Sequence, residues 1–195
     1  PAPHRSRRRL STGTSPARRC LLGAIDSARH ASACLVIGAG GAVLRAAIEA
    51  HQAGARPEIV CKSLLGKAHT VMAEGGIAAA MGNVNSKDNW QVHFRDTMRG
   101  GKFLNNWRMA ELHAKESPDR VWELETYGAL FDRTAEGKIS QRNFGGHEYP
   151  RLAHVGDRTG LELIRTLQQK IVSLQQDDGA AESGRAGQDL ASTGR

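Results

Sequence analysis

The sequence is poor in several features on which whole structural classes depend. Aromatic side chains make up 5% of its 195 residues, and no apolar run approaches the roughly 20 residues of a membrane-spanning helix. Cys20, Cys34 and Cys61 form neither a C-x-x-C pair nor a zinc-like His/Cys spacing. Three scattered thiols indicate a reducing compartment, and we predict no metal site. Because no apolar run is long enough to span a membrane, any association with a membrane must go through a partner.

Acidic residues are nearly missing from one end of the chain. The formal net charge is +7, and residues 1–30 account for +6 of it because seven arginines there face Asp26 alone. The remainder is close to neutral, so the basic pI belongs to an N-terminal arm. We expect residues 1–32 to be disordered; a transit peptide and a nucleic-acid-binding tail are the alternatives.

The first ordered part predicts a βαβ unit. Residues 33–37 form an apolar run typical of a buried parallel strand, residues 42–53 favour a helix, and residues 58–61 suit a second strand. Between the first strand and the helix, Gly38 and Gly40 have the G-x-G spacing of a dinucleotide-binding turn. Val43 stands where a third glycine is usual, and no acid follows the second strand. From these residues alone, a nucleotide site and mere tight packing both remain open.

Further along, residues 62–83 read as a loop. Three helices are then predicted: one capped by Asp88, one capped by Asn105 or Asn106 and running to Lys115, and one from Ser117 to Gly128. A hairpin should turn at residues 136–137. A last helix should end at Gln176 and bury one apolar stripe: Leu161, Ile164, Leu167, Ile171 and Leu174. Residues 177–195 have almost no large apolar residue, so we predict disorder there.

Two loop segments contain residues that suit ligand binding. In GKAHTVMAEGGIAAA, His69 and the pair Gly75-Gly76 lie in a stretch with small side chains. In QRNFGGHEYP, Phe144 precedes two glycines and could cover a ligand. The simpler interpretation is an aromatic side chain in a loop that fills a small cluster. His147 and His154 fit no metal template and stay unassigned.

Together these segments resemble one family. The matching runs are GAGGAVLRAAI (38–48), KAHTVMAEGGIAAAMGN (67–83), DNW (88–90), ELETYGALFDR (123–133), ISQRNFGG (139–146) and DRTG (157–160). In their order along the chain and in their amino-acid sequence, these runs are similar to the flavoprotein subunit of succinate dehydrogenase and fumarate reductase, particularly its bacterial form. The resemblance spans residues 35–176 and implies an incomplete, Rossmann-like α/β FAD-binding domain over residues 33–176, with residues 177–195 outside the family.

The resemblance implies FAD as the cofactor, linked covalently through His69 to the 8α carbon of the flavin. It assigns the cofactor site to the following residues: Gly38, Ala39, Gly40, Gly41, Ala42, Lys62, Ser63, His69, Thr70, Glu74, Gly75 and Gly76. Phe144 would pack against a dicarboxylate, and hydride would pass between succinate or fumarate and the flavin. Electrons would then pass through an iron–sulfur subunit, and further through a membrane anchor, to quinone.

The implied location is the cytoplasmic face of the bacterial inner membrane, or the mitochondrial matrix side if the arm is a transit peptide. No nucleic acid is expected as a partner. Two alternatives stay open: a non-catalytic truncated product whose arm binds nucleic acid or directs import, and a flavoprotein like L-aspartate oxidase, which lacks the flavin-linking histidine. The family's acid–base residues lie on later segments, so we expect no succinate oxidation by this chain alone. We also expect unpaired strand edges, uncovered apolar faces and marginal stability.

Overall fold

The computed structural model describes residues 33–192, with side chains described as far as residue 181. The expectations for residues 1–32 and 193–195 lie outside this range. Five strands and four helices follow one another in the described part. In chain order they are β1 (Cys34–Ile37), α1 (Gly41–Gln52), β2 (Pro57–Val60), β3 (Ile77–Ala78), α2 (Trp90–Gly100), α3 (Trp107–Thr126), β4 (Gln141–Arg142), β5 (Leu152–Ala153) and α4 (Thr159–Ser192). A short 3-10 helix spans His69–Met72.

The βαβ unit is confirmed. Strands β1 and β2 pair in parallel, and α1 connects them. The helix buries Leu44, Ala47 and Ile48, which recur at helical spacing and face the sheet. It stops where predicted, because Gly54 at φ +84° takes the left-handed conformation that ends helices. The unit brings the carboxyl ends of both strands to one edge.

A second sheet is absent from the sequence prediction. Strands β3, β5 and β4 lie side by side in that order, and both pairings are antiparallel. Each strand has only two residues, too few to show a period of two, so the sequence predicted β3 as loop. The predicted hairpin at residues 136–137 is confirmed by the bridge between Arg133 and Ile139.

Two helix boundaries differ from prediction. Asn89, not Asp88, caps α2 by accepting from the amides of Gln91 and Val92. The two helices predicted on either side of Ser117 are the single helix α3, which Asn106 caps and which contains Pro118. One buried face continues on both sides of this proline, and its packing outweighs the tendency of proline to begin a new helix. The buried residues of this face are Ala110, Ala114, Ser117, Val121 and Leu124.

The last helix is longer than expected. It continues to Ser192, whereas the sequence predicted an end at Gln176 and disorder beyond it. Residues 177–192 contain no proline, and their four alanines favour a helix while their three glycines oppose it. The buried stripe also differs, because Leu161 is exposed while Ile164 and Leu167 are buried.

One face of the first sheet is uncovered, as predicted. Leu35, Ile37 and Val60 are exposed, although α/β proteins normally cover both faces of a parallel sheet. A groove of about 830 Å³ also lies between α1, β2 and α4, and its lining is mainly apolar and includes Ile59 and Leu174. None of the helices in the part of the chain that the structure describes could cross a membrane.

Candidate functional site

The glycine turn lies at the carboxyl end of β1. The Gly38 amide donates to the carbonyl of Val60 (2.8 Å), which ties the turn to β2. Gly38 has φ +133°, and a Cβ there would stand 2.8 Å from Cγ2 of Val43. This position therefore requires glycine for both conformation and space. Ala39 and Ala42 complete the turn on either side of Gly40 and Gly41.

The amino end of α1 is suited to an anion. No side chain caps the helix at Gly40, and its first turn contains no acid. The amide of Gly41 donates to Oγ1 of Thr70 at 3.2 Å. A Cβ on Gly40 would meet the same hydroxyl at 3.3 Å. The helix dipole makes an amino terminus attractive to phosphate groups, so this end of α1 fits the pyrophosphate of a dinucleotide.

The loop of residues 62–76 brings the other predicted cofactor residues to this edge. Lys62 and Ser63 follow β2 and have exposed side chains. His69 is exposed and begins the 3-10 helix, one residue before Thr70. Because Thr70 contacts α1, its neighbour His69 lies beside the helix terminus as well. The exposed Glu74 precedes Gly75 and Gly76 at the end of this loop.

Helix α4 supports the loop from behind. The amide of Gly160 donates to the carbonyl of Ala73 (2.7 Å), and a Cβ on Gly160 would stand 2.0 Å from the carbonyl oxygen of Thr70. The Gln168 side chain donates to the carbonyl of Leu65 at 2.6 Å. Gly160 is thus a site-forming residue that sequence reasoning did not single out, although it ends the matching run DRTG.

The glycine pair meets Phe144. Atom Cε2 of Phe144 lies 3.5 Å from where a Cβ on Gly75 would stand, so the ring rests against this glycine. Gly76 has φ +123°, and a Cβ there would approach the carbonyl oxygen of Ala153 to 2.8 Å. The structure therefore brings Phe144 to the same surface as the glycine pair, with the ring 57% exposed.

Arg142 was missed by the sequence interpretation. Its guanidinium donates to the carbonyls of Gly75 (2.7 Å), Glu74 and Gly156, and pairs with Asp157 at 2.9 Å. One side chain thereby joins the end of the loop of residues 62–76 to the segment before α4. Its position inside the run ISQRNFGG was the only available signal, because a lone arginine in a strand has no characteristic pattern.

A buried charge cluster surrounds Arg151. Arg151 is fully buried, with Nη2 2.9 Å from Asp88 Oδ1 and 3.0 Å from Asp96 Oδ2. Burial raises the pKa of Asp88 to about 6, against the opposing effect of Arg151. Burial, and then Arg151, lower the pKa of His93 to about 3, which keeps its imidazole neutral. These charges join Asp88 and Asp96 to Arg151, the residue immediately before β5.

The unassigned histidines contact other side chains. His154 approaches Asp132 at 3.4 Å, and His147 lies edge-on to His93 with ring centres 6.0 Å apart. Within the described residues no three histidine, cysteine or acidic side chains converge in a way that could hold a metal ion.

The departure at Val43 leads to the first testable prediction. Its Cγ2 atom lies 2.8 Å from where a Cβ on Gly38 would stand, so shortening the side chain should relax the turn by about 1–3 kcal/mol, the usual effect of relieving overpacking. We expect Val43→Gly to raise the melting temperature or the bound flavin content. Val43→Ala is the matched control, because it removes two methyl groups without adding a glycine to a helix. Equal melting temperatures and flavin contents in all three proteins would contradict the prediction.

Comparison with known proteins agrees with this geometry. A family model described as FAD binding domain matches residues 34–181, which carries the match past Gln176. A fumarate reductase (CoM/CoB) chain of Methanothermobacter marburgensis is 49% identical over 139 residues, covering 71% of this chain and 25% of that protein. The succinate dehydrogenase flavoprotein subunit of Rickettsia bellii is 42% identical over 149 residues, covering 72% of this chain and 25% of that protein.

A solved structure is similar as well. Mycobacterium smegmatis Sdh1 in complex with UQ1 superposes with a TM-score of 0.75 and 81% sequence identity, covering 77% of this chain and 25% of that one. The chain spans about a quarter of the length of these relatives.

Proposed function

The chain belongs to the family of FAD binding domains, and from this premise we propose that it is the N-terminal FAD-binding part of a succinate dehydrogenase or fumarate reductase flavoprotein subunit. The observation that carries the proposal is the convergence of two distant segments at the amino end of α1. The glycine turn and Thr70 meet there through the 3.2 Å contact of Gly41 with the Thr70 hydroxyl.

Different residues of this site would bind different parts of FAD. The turn and the amino end of α1 would surround the pyrophosphate, where the helix dipole favours an anion: Gly38, Ala39, Gly40, Gly41 and Ala42. Lys62 and Ser63 follow β2 beside the cofactor, and Ser63 with main-chain groups takes the place of the missing acid at the adenosine ribose. Thr70 binds beside the phosphates, and Glu74, Gly75 and Gly76 border the flavin ring. His69 holds the flavin covalently. The bound FAD supplies two-electron chemistry by exchanging a hydride with the substrate.

Phe144 marks the substrate side of the site. Its ring lies against Gly75, a glycine that leaves room for a flat group to approach the backbone. We place the dicarboxylate, succinate or fumarate, against this ring. The complete flavoprotein would pass electrons to an iron–sulfur subunit, with a membrane anchor as the further partner, and would lie at a membrane surface through them. Its side would be the cytoplasmic face in a bacterium.

His69 distinguishes this proposal from an L-aspartate oxidase. It is exposed at the start of the 3-10 helix, where it can reach a ligand without disturbing the core. A nucleic-acid-binding role would depend on residues 1–32, which lie outside the described range, and it explains none of the geometry above.

Equilibrium titration of the purified chain with FAD tests the proposal. We expect saturable quenching of flavin fluorescence, weakened at least about tenfold in Gly38→Ala because the added Cβ strains the turn that meets the phosphates. Gly54→Ala is the matched control: it has the same kind of positive φ, but it lies at the far end of α1 with open space around it. FAD binding that is absent, or equally weak in both variants, would contradict the proposal.

A further inference from the structure

The loop that carries Phe144 has few attachments. It runs from β4 to β5 over residues 143–151, and the pairing of those strands closes its base. At its tip, Gly145 and Gly146 have open space around them, and Gly146 has φ +91°. The turn from Phe144 to His147 is closed by a single backbone hydrogen bond of 3.2 Å. Nothing in these contacts alone would hold the aromatic ring against Gly75.

The loop is tied down by a carboxylate on α2. The amide of Glu148 donates to Oδ2 of Asp96 at 2.9 Å. Asp96 is only 4% exposed, and the same oxygen is 3.0 Å from the guanidinium of Arg151 at the end of the loop. A hydrogen bond from an amide to a buried carboxylate is among the stronger ones in proteins. Asp96 thus contacts the loop at two points, on either side of Tyr149 and Pro150.

Glu148 makes a second contact with α2 at the protein surface. The guanidinium of Arg95 pairs with the carboxylate of Glu148, and both side chains are nearly half exposed. Exposed ion pairs contribute little. Two neighbouring residues of α2 therefore hold Glu148 in different ways, Asp96 through the backbone amide and Arg95 through the exposed side chain.

We propose that Asp96 is a positioning residue: its buried carboxylate holds the loop of residues 143–150 so that Phe144 stays over the glycine pair of the flavin site. The inference rests on the proposed function for the meaning of that surface. The anchoring itself depends only on the contacts of Asp96, Glu148 and Arg151. Asp88 keeps Arg151 paired on its other side, so the buried guanidinium retains one partner when Asp96 is changed.

Hydrogen exchange of the whole chain tests the anchor. In Asp96→Ala we expect the hydrogen-bonded amides of His147 and Glu148 to exchange about 10- to 100-fold faster, the range for loss of one hydrogen bond to a charged group. Exchange in α1 and α4 should stay as in the parent chain. Arg95→Ala, one residue away, should change the loop by less than about twofold. Asp96→Asn keeps an acceptor for the Glu148 amide and should restore most of the protection.

A second pair of variants isolates the amide itself. Glu148→Pro removes the N–H and the ion pair, whereas Glu148→Ala removes the ion pair alone. Only the proline variant should reproduce Asp96→Ala, so the test stands even if Asp96→Ala does not fold. Unchanged exchange in Glu148→Pro, or a rise of equal size throughout the chain, would overturn the proposal.

A spectroscopic readout follows the ring directly. The chain has four phenylalanines, so 4-fluorophenylalanine labelling gives four ¹⁹F signals, and Phe144→Leu assigns the one required. In Asp96→Ala this signal should narrow and move towards the free amino acid, and in Arg95→Ala it should not. Adding FAD should shift the same signal in the parent chain. A missing FAD shift would count against the proposed function, whereas an unchanged signal in Asp96→Ala would refute the anchor.

Discussion

Changing His69 to alanine will abolish the flavin that stays attached after denaturation, while reversible FAD binding and the fold persist. The side chain is exposed at the first position of the 3-10 helix, and exposed substitutions usually change stability by less than about 0.5 kcal/mol. The neighbouring Thr70 still makes its contact with Gly41, so the phosphate end of the site is preserved. The imidazole nitrogen is the group that the covalent bond requires, and alanine offers no substitute.

In-gel flavin fluorescence after denaturing electrophoresis measures this result. The chain is expressed together with the iron–sulfur subunit proposed as its partner, and protein-bound flavin is also quantified before denaturation. His51→Ala is the control, because this histidine lies at the opposite end of α1, where it contacts Asp178. A fluorescent band that persists in His69→Ala would exclude the assignment. So would its absence from the parent chain when that chain is loaded with FAD.

The part of the site that the sequence predicts is the part encoded locally. The strand, the glycine turn and α1 lie within some 20 consecutive residues, and their periodicity and glycine spacing have direct conformational causes. Asn106 was one of two candidate caps for α3, and it is the cap. Asp88, predicted as a cap, instead turns inward to Arg151, since burial of a charge requires an opposite charge.

The contacts that shape the rest of the site are between distant residues. Arg142 meets the carbonyl of Gly75 across 67 positions of sequence, and Gly41 meets Thr70 across 29. No local pattern specifies such pairs, because each depends on how separate elements pack. Pro118 shows the same limit inside one helix: the rule for proline is sound, but the buried face on both sides of it decides the outcome. Family resemblance supplied His69 and Phe144, which local chemistry left open.

Gly160 illustrates how a packing residue can control the cofactor site, and Gly160→Ala should have the largest effect on stability. In an ordinary helix this change is favourable by about 1 kcal/mol. Here the new Cβ would stand 2.0 Å from the carbonyl oxygen of Thr70 and 2.8 Å from the amide nitrogen of Ala73. Both are backbone atoms, so no rotamer change can relieve the clash; α4 and the 3-10 helix must move apart.

We therefore expect Gly160→Ala to destabilise the chain by about 1–3 kcal/mol, the usual range for overpacking, and to weaken FAD binding more than tenfold because Thr70 and His69 shift with the loop. Thermal unfolding with and without FAD, together with the fluorescence titration, measures both effects. Gly100→Ala is the control: it is also a helical glycine, but a Cβ there meets nothing within 4 Å. If Gly160→Ala stabilised the chain as much as Gly100→Ala does, α4 would not support the loop of residues 62–76. Retention of full FAD affinity despite a lower melting temperature would show instead that the loop holds the cofactor independently of α4.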